Sequence, residues 1–155
     1  MNIRVEAISG SDFGELIKLF REFAEFEKLP HKMVNTVEKM NEESGFINGF
    51  TVKDESGKIL GYVTFFFAYY TWVGKSLYMD DLYVRPGFRG KGLGSMLIRE
   101  VISFARAKVT AMPCQIRYMS TSKRFLRTST NKNHFRSYRG MKEICIFYYK
   151  KIYIG

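Results

Sequence analysis

The chain has 155 residues, is 46% apolar with 14 Phe and 10 Tyr, and carries a formal net charge of +10. That length and aromatic content fit one domain spanning 1–155 with a real core, and they exclude a disordered tail. The longest uncharged run, Ile59 to Gly74, is short for a membrane span and rich in β-branched and aromatic residues, so it reads as a strand plus a loop and no membrane partner is expected.

The first residues lack the apolar stretch of a secretory signal. Cys114 and Cys145 lie far apart and match no metal or redox spacing, so two ordinary thiols, a reducing cytoplasm and no metal are expected. The charge is uneven. Residues 1–110 hold 15 Lys and Arg against 14 Asp and Glu, whereas residues 111–155 hold 10 against only Glu143. A basic segment suits a solvated face, an acidic surface or a phosphorylated cofactor; nucleic acid is not the expected partner.

In chain order, Asn2 to Ala7 alternates as a first strand. Ser11 or Asp12 can cap a helix with Phe13, Leu16, Ile17, Phe20, Phe23 and Ala24 at helical spacing, and Pro30 stops it or follows its end. A weaker helix covers about 35–43. Phe50 to Lys53 and Lys58 to Tyr69 read as strands joined by a hairpin at 54–57. Ser76 to Val84 is another strand. Leu93, Met96, Leu97, Val101, Ile102 and Ala105 then form one helical stripe. Gln115 to Ser120 reads as a strand, Asn131 to Arg139 as a short helix, and Ile144 to Tyr149 as a last strand. This order predicts an α/β or α+β domain around a mixed, mostly antiparallel sheet flanked by helices.

The most informative stretch is Tyr78 to Gly94, YMDDLYVRPGFRGKGLG. It runs from a strand with two adjacent acids, Asp80 and Asp81, into Gly90, Gly92 and Gly94, where a helix begins. Glycines there leave backbone N–H groups uncovered and tolerate unusual φ. A helix N-terminus adds further N–H groups and a positive dipole end. Together with Arg89, Lys91 and Ser95 they predict a cradle for a pyrophosphate. A Walker loop is ruled out because no Gly-Lys-Ser/Thr follows a glycine and four spacer residues. The dinucleotide fingerprint is ruled out because the third glycine arrives one residue early.

Arg89-x-x-Gly92-x-Gly94 after a strand ending in Val84, with Leu82-Tyr83-Val84-Arg85-Pro86 before it, resembles the acyl-CoA loop of the GNAT acetyltransferase superfamily. Phe23-Ala-Glu-Phe-Glu27, Thr71-Trp72-Val-Gly-Lys75 and Tyr78-Met-Asp80-Asp81 resemble the spermidine/spermine and thialysine acetyltransferase branch. The resemblance covers roughly residues 3 to 110. It implies an N-acetyltransferase moving acetyl from acetyl-CoA to a primary amine of a small polyamine- or lysine-like substrate, by direct attack in a ternary complex. A homodimer is implied as well.

The resemblance assigns Asp80 the proton-accepting role, where the branch carries a glutamate. It assigns Glu27, Trp72 and Asp81 to the substrate, and the backbone of Leu82 and Val84 to the pantetheine arm and thioester carbonyl. Adjacent strand residues point to opposite faces, so both aspartates reach one site only if the strand bulges or splays there, as it does in this superfamily. The spermidine-preferring branch has an acid two residues before the tryptophan. Tyr70 stands there, which favours thialysine- or lysine-type amines.

Toward the C-terminus the pattern loosens. Asn131 and Tyr138 keep the family's spacing between a coenzyme-binding Asn and the Tyr that protonates the thiolate, but Gly140 comes two residues too soon. Aligning on Gly140 puts Arg136 at the tyrosine position instead. Two alternatives stay open: acetylation of protein lysines or N-termini, and a CoA-binding module with impaired chemistry.

Overall fold

The computed structural model describes residues 2–71, 74–108 and 116–118. Five strands form one sheet in the order β1-β2-β3-β4-β5, namely β1 (Arg4–Ala7), β2 (Asn48–Lys53), β3 (Ile59–Tyr70), β4 (Gly74–Val84) and β5 (Ile116–Tyr118). The first four are antiparallel and β5 runs parallel to β4. The mixed, mostly antiparallel sheet expected from sequence is therefore present. The predicted segments at 131–139 and 144–149 lie outside the described residues.

Helix α3 (Leu93–Lys108) covers one face of the sheet. Its stripe of Leu93, Leu97, Val101 and Ala105 packs on Phe50, Val52, Leu60, Val63, Phe65, Leu77 and Met79. Helices α1 (Phe13–Phe26) and α2 (Val37–Glu42) cover the other face. There Phe13, Leu16, Ile17, Leu19 and Met40 bury Ile59, Tyr62 and Tyr83. Each helix spends one apolar stripe on the sheet, as its spacing requires.

α1 does not reach Pro30. It ends at Phe26, with Glu27 as C-cap, and Lys28 adopts φ 61°. The Leu29 N–H donates to the Ala24 carbonyl at 2.8 Å and the Lys28 N–H to the Glu25 carbonyl at 2.9 Å. This is a Schellman ending with lysine where glycine is usual. At the start of α1, Asp12 does not cap through its side chain. Its carboxylate accepts from the Ser9 N–H at 3.0 Å and pairs with Lys53 at 2.8 Å.

Arg85, just past β4, ties α1 to the sheet. Its guanidinium donates twice to Glu22, at 3.2 and 3.0 Å, and once to Glu15, at 3.0 Å. Burial opposes its charge, but the bonds to Glu22 and Glu15 outweigh this and raise its pKa. The helix that walls the site is thereby pinned to the end of the strand that carries the acids.

Candidate active site

The register between β3 and β4 slips in one place. Val63 pairs with Leu82 and Phe65 with Met79, so two steps on β3 face three on β4. The extra residue lies at Asp80–Asp81, opposite Thr64. It is a β-bulge, and the Asp81 N–H donates to Thr64 Oγ1 at 3.2 Å. The bulge reverses the alternation of β4. Met79 belongs to the α3-side core, and Leu82 and Val84 pack against that same core. The residues between, Asp80 and Asp81, are left together on the opposite side. The splay expected at the acidic pair is present, and its cause is the added residue.

Both aspartates line one pocket of about 520 Å³ on the α1 side of the sheet. Glu27 stands in the same wall, so three of the acids picked out from sequence come together. The rest of the lining is mainly aromatic and aliphatic: Phe20 and Phe23 from α1, Phe46 and Ile47 from the turn before β2, and Phe66 from β3. Phe46 is 84% exposed and Phe66 is 43% exposed, which puts two apolar rings at the rim.

Among the lining residues not picked out from sequence, Lys32, Thr64 and Tyr62 bear on the chemistry. Lys32, in the 3-10 turn Pro30–Lys32, adds a cationic residue to the lining that holds the three acids. Thr64 holds the bulge. Tyr62 is fully buried, and its hydroxyl has no hydrogen-bond partner among the described residues. Burial first, then the fields of Asp81, Tyr83 and Asp80, push the Tyr62 phenol well above 10.0. Residues 62, 64 and 66 do alternate on β3, but an uncharged run gives no sign of which face meets a pocket. Trp72 lies outside the described residues, as do Asn131, Tyr138 and Arg136.

The glycine loop sits at the end of β4. Gly90 has φ 76° and Gly92 φ 81°, and among the described residues no atom beyond the chain neighbours lies within 4 Å of where a Cβ would stand on either. Both need glycine for conformation. The Met96 N–H donates to the Gly92 carbonyl at 3.0 Å, so the amides of Leu93, Gly94 and Ser95 lie ahead of the helical ladder. This loop fits the diphosphate of an acylated coenzyme. Lys91 and Ser95 are exposed beside it.

Arg89 takes a different course from the glycines. Its Nε donates to the Val84 carbonyl at 2.7 Å, and its guanidinium lies 4.5 Å from the centre of the Phe26 ring and 5.4 Å from that of Tyr83. It bridges the loop to α1. The backbones of Leu82 and Val84 pair with β3, at Val63 and Gly61, while the described pairing with β5 covers Leu77 to Met79. Among the described residues, the far edge of β4 is therefore unpaired beyond Met79.

Comparison with known proteins agrees with this geometry. Residues 13–119 match the Acetyltransferase (GNAT) family. The chain is 37% identical over 112 residues to a thialysine N-epsilon-acetyltransferase of Caenorhabditis elegans, covering 69% of this chain and 68% of that one. It is 31% identical over 121 residues to the enzyme of the same name from Mus musculus, covering 68% of each. Its fold matches an aminoglycoside acetyltransferase from an uncultured soil metagenomic sample, with TM-score 0.66, 19% identity, and 96% and 95% of the two chains covered. The chain belongs to the GNAT family and is an acetyl-CoA-dependent N-acetyltransferase.

Proposed function

We propose that this enzyme acetylates the primary amine of a small lysine- or thialysine-like substrate, by direct attack in a ternary complex. The carrying observation is that Asp80, Asp81 and Glu27 share one aromatic-walled pocket with Lys32. Three carboxylates favour a cation, and the rings suit an alkyl chain. A polyamine carries only positive charge and meets repulsion at Lys32. An amino acid brings a carboxylate that Lys32 can receive and an α-ammonium that Glu27 can receive. The curated thialysine acetyltransferases that the chain resembles have substrates of this type.

A lysine-type amine has a pKa of about 10.4, so about one molecule in a few thousand is neutral at pH 7. Its deprotonation costs roughly 4–5 kcal/mol there. Asp80 accepts that proton, directly or through one water, since aspartate is a methylene shorter than the glutamate of the branch. The freed nitrogen attacks the thioester carbonyl carbon. The N–C bond forms, the C–S bond breaks, and the coenzyme leaves as a thiolate. Acetyl-CoA supplies the activated acetyl group. The amides of Gly90 to Ser95, with Lys91, hold its diphosphate, and the backbone of Leu82 and Val84 aligns the pantetheine arm and polarises the carbonyl. Tyr138 is the proposed proton donor to the thiolate, and Asn131 an added coenzyme contact.

The test is CoA release with thialysine, lysine, spermidine and a lysine-bearing peptide. Thialysine or lysine is expected to give the highest kcat/KM. Preference for the peptide or for spermidine overturns the substrate class. Asp80→Asn should lower kcat mainly at low pH, where little free amine exists. An unchanged pH profile removes Asp80 from the role.

A further inference from the structure

We propose that Tyr62 is a positioning residue for the substrate amine, acting through Asp81: its buried hydroxyl donates to the Asp81 carboxylate when that carboxylate closes on a bound ammonium group. The proposal rests on reading the pocket as an amine site. Its first support is an unmet hydrogen bond. Tyr62 is 0% exposed, and its hydroxyl is a buried side-chain polar atom without a partner among the described residues. Leaving such a group unsatisfied is unfavourable, because it loses its bond to water and gains none in return. A phenylalanine ring would fill the same space without that cost, so packing alone does not account for the oxygen.

Its second support is strand register. Tyr62 pairs with Tyr83, and Asp81 lies two residues along β4 on the same side of the sheet. The two are diagonal cross-strand neighbours, with Cβ atoms about 7–8 Å apart, within the reach of a phenol. The ring itself is fixed. Phe20 meets it edge-on with centroids 4.9 Å apart, and Tyr83 lies 6.1 Å away. Both residues line the pocket, and the Asp81 backbone is already held by Thr64.

Its third support is protonation. Burial, followed by the nearby Asp81, Tyr83 and Asp80, keeps the phenol protonated far into the alkaline range, so it is a donor. A carboxylate held by an O–H from beneath presents its second oxygen to the ammonium in one orientation. The amine then sits in a fixed place relative to Asp80, which takes the proton.

The experiment is Tyr62→Phe. Melting temperature is measured, together with the affinities for thialysine and for acetyl-CoA by calorimetry. The expected result is an unchanged or higher melting temperature, amine affinity about tenfold weaker, and unchanged acetyl-CoA affinity. Combining it with Asp81→Asn should give less than the product of the two single losses, because the two side chains act as one unit. Wild-type amine affinity in Tyr62→Phe overturns this proposal alone. So does a lower melting temperature with both ligands weakened equally. Wild-type protein that binds none of thialysine, lysine or spermidine overturns the amine reading and this proposal with it.

Discussion

The backbone N–H of Asp81 donates to Oγ1 of Thr64 at 3.2 Å, across the one place where β4 carries a residue more than β3. A side chain thus replaces the ladder bond that the bulge removes. The consequence reaches beyond one hydrogen bond. With it, two consecutive carboxylates face the same pocket, a placement that regular pleating forbids.

Thr64→Val keeps the shape and removes the acceptor. The Asp81 amide loses its partner at a cost of about 1 kcal/mol. The expected outcome is a melting temperature lower by a few degrees, with kcat/KM for the amine falling about tenfold or more. Thr64→Ser retains the hydroxyl and should recover most of the activity. Equal activity of the Val and Ser variants would show that the bond does not set the acids' geometry.

Gly92→Ala tests the loop. At φ 81° an alanine is strained by roughly 1–2 kcal/mol, although among the described residues no atom beyond the chain neighbours lies within 4 Å of its Cβ. The loop should relax toward negative φ and turn its amides away. A rise of about tenfold in the KM for acetyl-CoA is expected, with the KM for the amine unchanged. Steady-state kinetics with each substrate varied in turn decides it.

Lys32→Glu tests which cation the pocket accepts. Lys32, which lines the pocket with Glu27, Asp80 and Asp81, is replaced by a fourth acid. The ratio of kcat/KM for spermidine over thialysine should rise by about tenfold or more. An unchanged ratio would mean that Lys32 does not meet the substrate.

The Lys53 pair sets an acid limit to stability. Asp12 has its pKa lowered below 3.8: burial raises it, but bonds from Lys53 and Ser9 outweigh burial. A depressed carboxylate contributes stability above its unfolded pKa and loses it as pH falls through the folded value. Melting temperature should therefore decline below about pH 4. Lys53 is raised above 10.5, where burial is outweighed by bonds to Asp12 and Glu6, so its contribution is complete below that value and fades above it. Asp12→Asn should cost about 1–3 kcal/mol at pH 7 and flatten the acid decline, read by thermal melts across pH.

Lys28→Gly is expected to stabilise. Lys28 holds φ 61° in the Schellman turn, a conformation that costs a residue with a Cβ roughly 1 kcal/mol or more. Glycine removes that strain and returns part of it as added freedom in the unfolded chain. A net gain of about 0.5 kcal/mol, or a melting temperature higher by a degree or two, is the expected calorimetric result.

The strands and helices were legible because their spacing is local. The stripes at 13–24 and 93–105 came out as α1 and α3, and the hairpin at 54–57 joined two paired strands. The end of α1 was not legible. Pro30 could stop the helix or follow its end, and it follows; the stop itself is a left-handed lysine, and nothing in a lysine's side chain announces that. The glycine loop was legible for a chemical reason: φ values of 76° and 81° demand the residue type that the sequence displays.

Sequence by itself determined which groups the enzyme owns: the glycines that bare their amides, the acids at 27, 80 and 81, and the apolar periodicities that build two helical layers on a sheet. Tertiary structure decided which of them meet. Lys32, Thr64 and Tyr62 stand at this pocket because of register and packing, and the aspartates share a face because one strand gained a residue relative to its neighbour. Register is a property of two strands at once, so neither strand's own sequence can state it.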